Sequence, residues 1–184
     1  MRRTKMNISV FLSYPKPFLQ EQEKFLHKIH LYFESRGLSP RTLGVTDYDM
    51  NAPLRAIRSL MLECNGLVTI GFRRTLIREG ITKPNANISN SSPSTLTHTW
   101  LSTPWPHIET AMAYQLGLPI LIFREKGVIE DGILEKGVVG IYMPEFDVDD
   151  NRYFNSLQWK EIINKWEGYV RAVVEKKGNP PQLY

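Results

Sequence analysis

Three short runs rich in β-branched and aromatic residues, Ile8–Tyr14, Gly66–Phe72 and Pro119–Phe123, are separated by stretches with helical periodicity. No other feature constrains the fold as strongly. The runs are nearly apolar throughout, as strands are when helices cover both faces of a parallel sheet. After the first run, apolar residues fall at 18, 19, 25, 26, 29, 32 and 33, which predicts a helix from Phe18 to Arg36 with Gly37 as its stop. Arg41 to Leu43 can form a short second strand, and Gly44 to Ala52, rich in Asp, Asn and Gly, reads as a loop. Pro53 suits a first helical turn, and Leu54, Ile57, Met61 and Cys64 then share one face. A further helix is predicted from Pro106, with Ile108 and Met112 toward the core and Gly117 as terminator. Val138 to Met143 supplies a fifth strand, a short helix fills 128–136, and a last amphipathic helix spans 154–176. Strands alternating with helices predict an α/β domain over 1–184, a flavodoxin-like, doubly wound, five-stranded parallel sheet.

Residues 73–105 break this rhythm. They begin with Arg73, Arg74 and Arg78 and continue, over 85–99, mostly as Ser, Thr and Asn. The expectation is a long insertion behaving as a mobile flap. The tail, Gly178 to Tyr184, is expected to be loose.

Composition narrows the setting. With 184 residues the chain can bury a core without disulfides, and its one cysteine, Cys64, allows neither an internal disulfide nor a multi-cysteine metal site. No apolar run approaches the ~18 residues of a membrane span. A soluble, cytoplasmic protein is expected. The formal net charge of +4 is too small for a dedicated nucleic-acid binder, so no nucleic acid and no membrane are expected as partners.

Gly-rich phosphate loops of the GxGxxG and Walker A types are absent, as are GxSxG and HExxH. Candidate residues are therefore those at the carboxyl ends of the strands, where doubly wound sheets bind ligands. They are Ser13 and Tyr14 after the first strand, the 41–51 loop with Arg41 and Asp47, Arg73 after the third, and the start of the helix carrying Trp105 and Glu109. With Pro106 as first helical residue, Glu109 lies in or just past the first turn, where the helix N-terminus favours its ionised form. A fixed carboxylate at the mouth of such a sheet can stabilise an oxocarbenium-like sugar cation or attack it. Alternatively, Glu109 simply complements the helix dipole at the surface.

Val10-Phe-Leu-Ser-Tyr14, followed by an amphipathic helix ending Ser35-Arg-Gly-Leu38, resembles the opening box of a Toll/interleukin-1 receptor (TIR) domain. Ser102 with Trp105-Pro-His-Ile-Glu109 resembles the TIR pattern Ser…Trp-Cys-x-x-Glu, with Pro106 at the usual cysteine. The resemblance covers roughly 6–146. It implies cleavage of the nicotinamide–ribose bond with Glu109 catalytic, NAD as substrate and no other cofactor. A free-standing domain of this kind resembles the signal-producing component of bacterial antiphage systems such as Thoeris. A second stretch, Ile108-Glu-Thr-Ala-Met-Ala-Tyr-Gln-Leu-Gly-Leu-Pro119, is similar to nucleoside 2-deoxyribosyltransferases. That resemblance makes the same glutamate a nucleophile on a nucleoside, with a strand-one tyrosine such as Tyr14 and an aspartate such as Asp47 or Asp49 around it. Both converge on Glu109 at a ribosyl C1′–N bond. A non-enzymatic binding or scaffold module is the third reading.

Most of the remaining candidates have two readings each. Trp105 either stacks on a base or plugs the core. Arg41 either meets a phosphate or sits in solvent, at least one of Arg73 and Arg74 is expected at the cleft mouth, where it suits a pyrophosphate, and Asp47 either binds ribose hydroxyls or shapes a turn. Trp159 and Trp166, one heptad apart, pack in the core or form the seam of a homo-oligomer.

Overall fold

The computed structural model describes residues 7–50, 52–150 and 152–176; the basic start and the 178–184 tail lie outside them. Five parallel strands form the main sheet: β1 (Ile8–Ser13), β2 (Leu38–Arg41), β3 (Leu67–Gly71), β6 (Ile120–Arg124) and β7 (Ile141–Tyr142). Their order is β2-β1-β3-β6-β7, every pair parallel. This is the flavodoxin-like doubly wound arrangement. Winding runs outward from β1 to β2, then restarts at β3 on the other side, so the switch in strand order lies between β1 and β3.

Helices α1 (Gln20–Ser35) and α4 (Leu157–Glu175) cover one face of the sheet; α2 (Pro53–Leu62) and α3 (Pro104–Gln115) cover the other. The α1/α4 side is aromatic: Phe25 stacks on Phe146, and Trp159 meets Phe123 and Tyr32. Trp159 and Trp166 are fully buried, so both belong to the core, not to a seam between copies. Gly66 allows this close packing, since a Cβ there would lie 2.7 Å from Val170 Cγ2. Cys64 is buried in the α2/α3 layer as a small apolar residue.

The interruption at 73–105 is not a flap of irregular chain. It is an antiparallel ribbon of β4 (Thr75–Thr82) and β5 (Ser94–Leu101), paired from Thr75↔Leu101 to Thr82↔Ser94. Its root is pinned: Arg74 N–H donates to the Leu101 carbonyl at 2.9 Å, and Trp100 exchanges backbone bonds with Gly127 and Ile129. Lys83, Asn85 and Asn90 take positive φ in its turn. None of the residues of β4 and β5 is buried, and nine of the sixteen are exposed.

Other bounds moved. Helix α3 begins at Pro104, two residues before the expected start. The 128–136 helix shrinks to a 3₁₀ turn at Gly132–Leu134, the fifth strand to Ile141–Tyr142, and α4 follows a 3₁₀ turn at Tyr153–Asn155.

Candidate active site

At the switch point, the carboxyl end of β1 brings Ser13 and Tyr14 opposite α3. Of the expected core face of α3, Ile108 is turned outward, 38 % exposed, while Met112 is partly buried against the α2/α3 core. The buried positions are Pro106, Thr110 and Ala113. Because side chains three and four apart share a helix face, this rotation brings Glu109 toward the sheet.

Glu109 Oε2 accepts a hydrogen bond from the Ser13 hydroxyl. One residue further along the helix, Thr110 Oγ1 bonds Thr69 Oγ1 of β3. Glu109 lies six residues into α3, beyond the turn where the helix dipole acts, so the expected help from the N-terminus is absent. Burial dominates instead. It pushes the Glu109 carboxyl up to about 7, against the opposing effect of the Ser13 bond. Near neutral pH this group exists in both forms.

A cleft of about 250 Å³ opens over this carboxylate. Ser13, Tyr14, Lys16, Arg74, Trp105 and Glu109 line it, together with Thr42, Leu43 and Thr103. Tyr14 is half-buried and bonded to Thr42; burial holds its phenol above the usual value, so it remains a proton-bearing donor. Trp105 is 44 % exposed at the mouth, which removes the core-plug reading.

Charge at the mouth comes from Lys16 and Arg74, neither with a carboxylate partner among the described residues. Arg74 is steadied by a 3.0 Å bond to the Lys16 carbonyl and by the Phe18 ring 5.5 Å from its guanidinium carbon. The first turn of α3 offers an anion little, because Pro104 and Pro106 have no N–H to give.

Three expected site residues stand outside the lining. Arg41 is paired with Asp47 and, at 2.7 Å, with Glu63. That pairing holds the Asp47 carboxyl below its usual range and uses both groups on each other. Arg73 points the other way: its Nε donates to the Lys126 carbonyl at 2.7 Å, and its guanidinium carbon lies 5.8 Å from the Trp100 ring centre. The structure thus brings Ser13, Tyr14, Trp105 and Glu109 together, supplies Arg74 from the Arg73/Arg74 pair, and adds Lys16. The signal for Lys16 was its place between Pro15 and Pro17, which stiffen the loop after β1.

Among the described residues, no group of three or more His, Cys, Asp or Glu side chains could hold a metal. Burial pushes the Cys64 thiol up to about 12, far from thiolate chemistry. No helix of the described residues is long and apolar enough to cross a membrane. The arrangement is therefore an isolated carboxylate in a small cleft, flanked by a phenol, an indole and two cations.

No family model matches the chain, and no curated protein matches it in sequence. Among solved structures, one described as the structure of Clostridium botulinum CMP N-glycosidase, BcmB, is similar at a TM-score of 0.44 and 18% identity, over 88% of this chain and 99% of that one.

Proposed function

We propose that this chain breaks the N-glycosidic bond of a small nucleotide or nucleoside, with Glu109 acting at the ribosyl C1′. The carrying observation is the solitary, part-buried Glu109 carboxylate held by Ser13 at the switch point of the sheet. As the C1′–N bond breaks, its electron pair leaves with the base, which takes a proton from solvent. Positive charge develops on C1′ and the ring oxygen. Ionised Glu109 stabilises that charge or bonds to C1′. Water then adds at C1′ and loses a proton, giving free sugar; an incoming base in place of water gives transfer. Tyr14 donates to a sugar oxygen, and Trp105 supplies a face for the base.

Lys16 and Arg74 at the mouth suit a phosphate. The cleft, at about 250 Å³, lies just below the ~300–1,000 Å³ usual for ligand sites, so it encloses one nucleoside. This favours a mononucleotide. NAD is the second reading: its nicotinamide riboside would fill the cleft and its diphosphate would meet the same two cations outside.

The test is mass spectrometry of free base after incubation with a nucleoside 5′-monophosphate panel including CMP, with deoxynucleosides, and with NAD. Base release from a monophosphate is expected, with Glu109→Gln losing at least about 1,000-fold. Release from NAD alone moves the substrate to the dinucleotide. No release from any of them, or full activity of Glu109→Gln, overturns the proposal.

A further inference from the structure

We infer that Ser13 is a positioning residue: its hydroxyl fixes Glu109 Oε2 against the sheet so that only Oε1 is offered to the cleft. Ser13 is 1 % exposed and sits at the last position of β1, where it is in register with Thr69 of β3. Both strands send a hydroxyl to α3, Ser13 to Glu109 and Thr69 to Thr110, two consecutive helix residues. Little else sets the position of this helix end. Its cap residue, Thr103, makes no capping bond, and Trp105, Ile108 and Tyr114 face outward. Its fully buried residues are the small or short Pro106, Thr110 and Ala113, and its larger apolar contacts with the core, Met112 and Leu116, come only after Glu109.

The polarity of the link follows from the donor inventory. An ionised carboxylate only accepts, so the Ser13 hydroxyl must donate to it, and that donation favours the charged form. Glu109 accepts no other hydrogen bond among the described residues, which leaves Oε1 for substrate. The other ionisable groups along the cleft are Tyr14 from the end of β1, Lys16 from the following loop and Arg74 at the foot of β4. Arg41 and Asp47, at the end of β2, are occupied with each other.

The inference rests on Glu109 being the acting carboxylate, but its test has an arm that does not. In ¹³C-carboxyl-Glu protein, the Glu109 resonance is identified by its loss in Glu109→Gln and titrated by NMR. Ser13→Ala is expected to move its midpoint up by about one unit. Ser13→Cys, which keeps a weaker donor of similar size, is expected to fall between the two and serves if Ser13→Ala does not fold. A midpoint unchanged from wild type in the variants that fold overturns the inference. In turnover with the substrate found above, Ser13→Ala lowers kcat about tenfold at neutral pH with KM within twofold, and raising the pH restores part of it. A raised KM at unchanged kcat instead makes Ser13 a substrate contact. If Glu109→Gln is fully active, the functional reading fails while the NMR arm still decides the role of Ser13.

Discussion

The carboxyl edge of the sheet holds two hollows of nearly equal size that treat charge in opposite ways. One, about 280 Å³ beside β6 and β7, contains Arg124, whose guanidinium is met by both Glu130 and Glu145. The other, about 250 Å³ at the β1/β3 switch, contains a carboxylate without a cation and two cations without a carboxylate. In the first hollow the fold neutralises the buried guanidinium itself, and the further cation there, Lys136, has no opposing carboxylate left over among the described residues. In the second it leaves Glu109 burdened by burial and leaves Lys16 and Arg74 open. Groups that the fold does not neutralise are available to something else, and this contrast, not hollow size, separates a site from a packing feature.

The strongest way to break the contrast is to remove the open cations. Lys16→Ala with Arg74→Ala is expected to lower kcat/KM for a nucleoside 5′-monophosphate about 100-fold, from ~1.5 kcal/mol per charge-assisted contact. The unphosphorylated nucleoside should change less than about twofold. Equal losses on both substrates would make the two side chains structural.

A second comparison uses stability. The folded Glu109 holds its proton to about 7, above the ~4.3 of an unfolded chain, so the unfolded state ionises first. Folding stability is therefore lost as pH rises between those values, and Glu109→Gln removes that slope. At pH 8 the variant should be more stable by ~3–4 kcal/mol, and at pH 4 nearly equal, in urea denaturation. Parallel pH profiles for the two proteins would show that the site stores no such strain.

The smallest effect belongs to the satisfied hollow. Arg124→Met leaves Glu130 and Glu145, both more than 40 % exposed, to solvent. It should cost about 1 kcal/mol or less and leave turnover unchanged. A large activity loss here would erase the distinction between the hollows.

Much of the fold was legible in the sequence because buried parallel strands are apolar on both faces, so β1, β3 and β6 stood out as runs. The ribbon was not. A two-stranded arm with mostly exposed faces has no buried side to impose alternation, and its Ser and Thr residues read as loop. Glu109 was legible from its place at the helix start, about 100° round the axis from Ile108 and so able to border the core while reaching the cleft, but the outward turn of Ile108 was not. The first half of α3 packs through Pro106 and Thr110, residues that carry little hydropathy signal beside Ile108. The phosphate candidates Arg41 and Arg73 lie outside the cleft lining for different reasons. Arg41 is consumed by Asp47, a pairing set by the 42–47 turn. Arg73 and Arg74 are neighbours sent opposite ways, one to Lys126 and Trp100, the other to the cleft.

The prolines at the start of α3 have a wider consequence. A helix end that binds phosphate through backbone N–H groups is hard to alter, because any residue supplies the same group. Here Pro104 and Pro106 remove two of the first four N–H groups of that end, and under the proposed function discrimination rests more on the tips of two long side chains. Single codon changes at positions 16 and 74 can then retune what the cleft accepts without disturbing its carboxylate. Ionic strength, which screens exposed ammonium and guanidinium groups, becomes a direct control on affinity. Under the proposed function, substrate preference in this scaffold is in that sense an evolvable surface property laid over a fixed chemical centre.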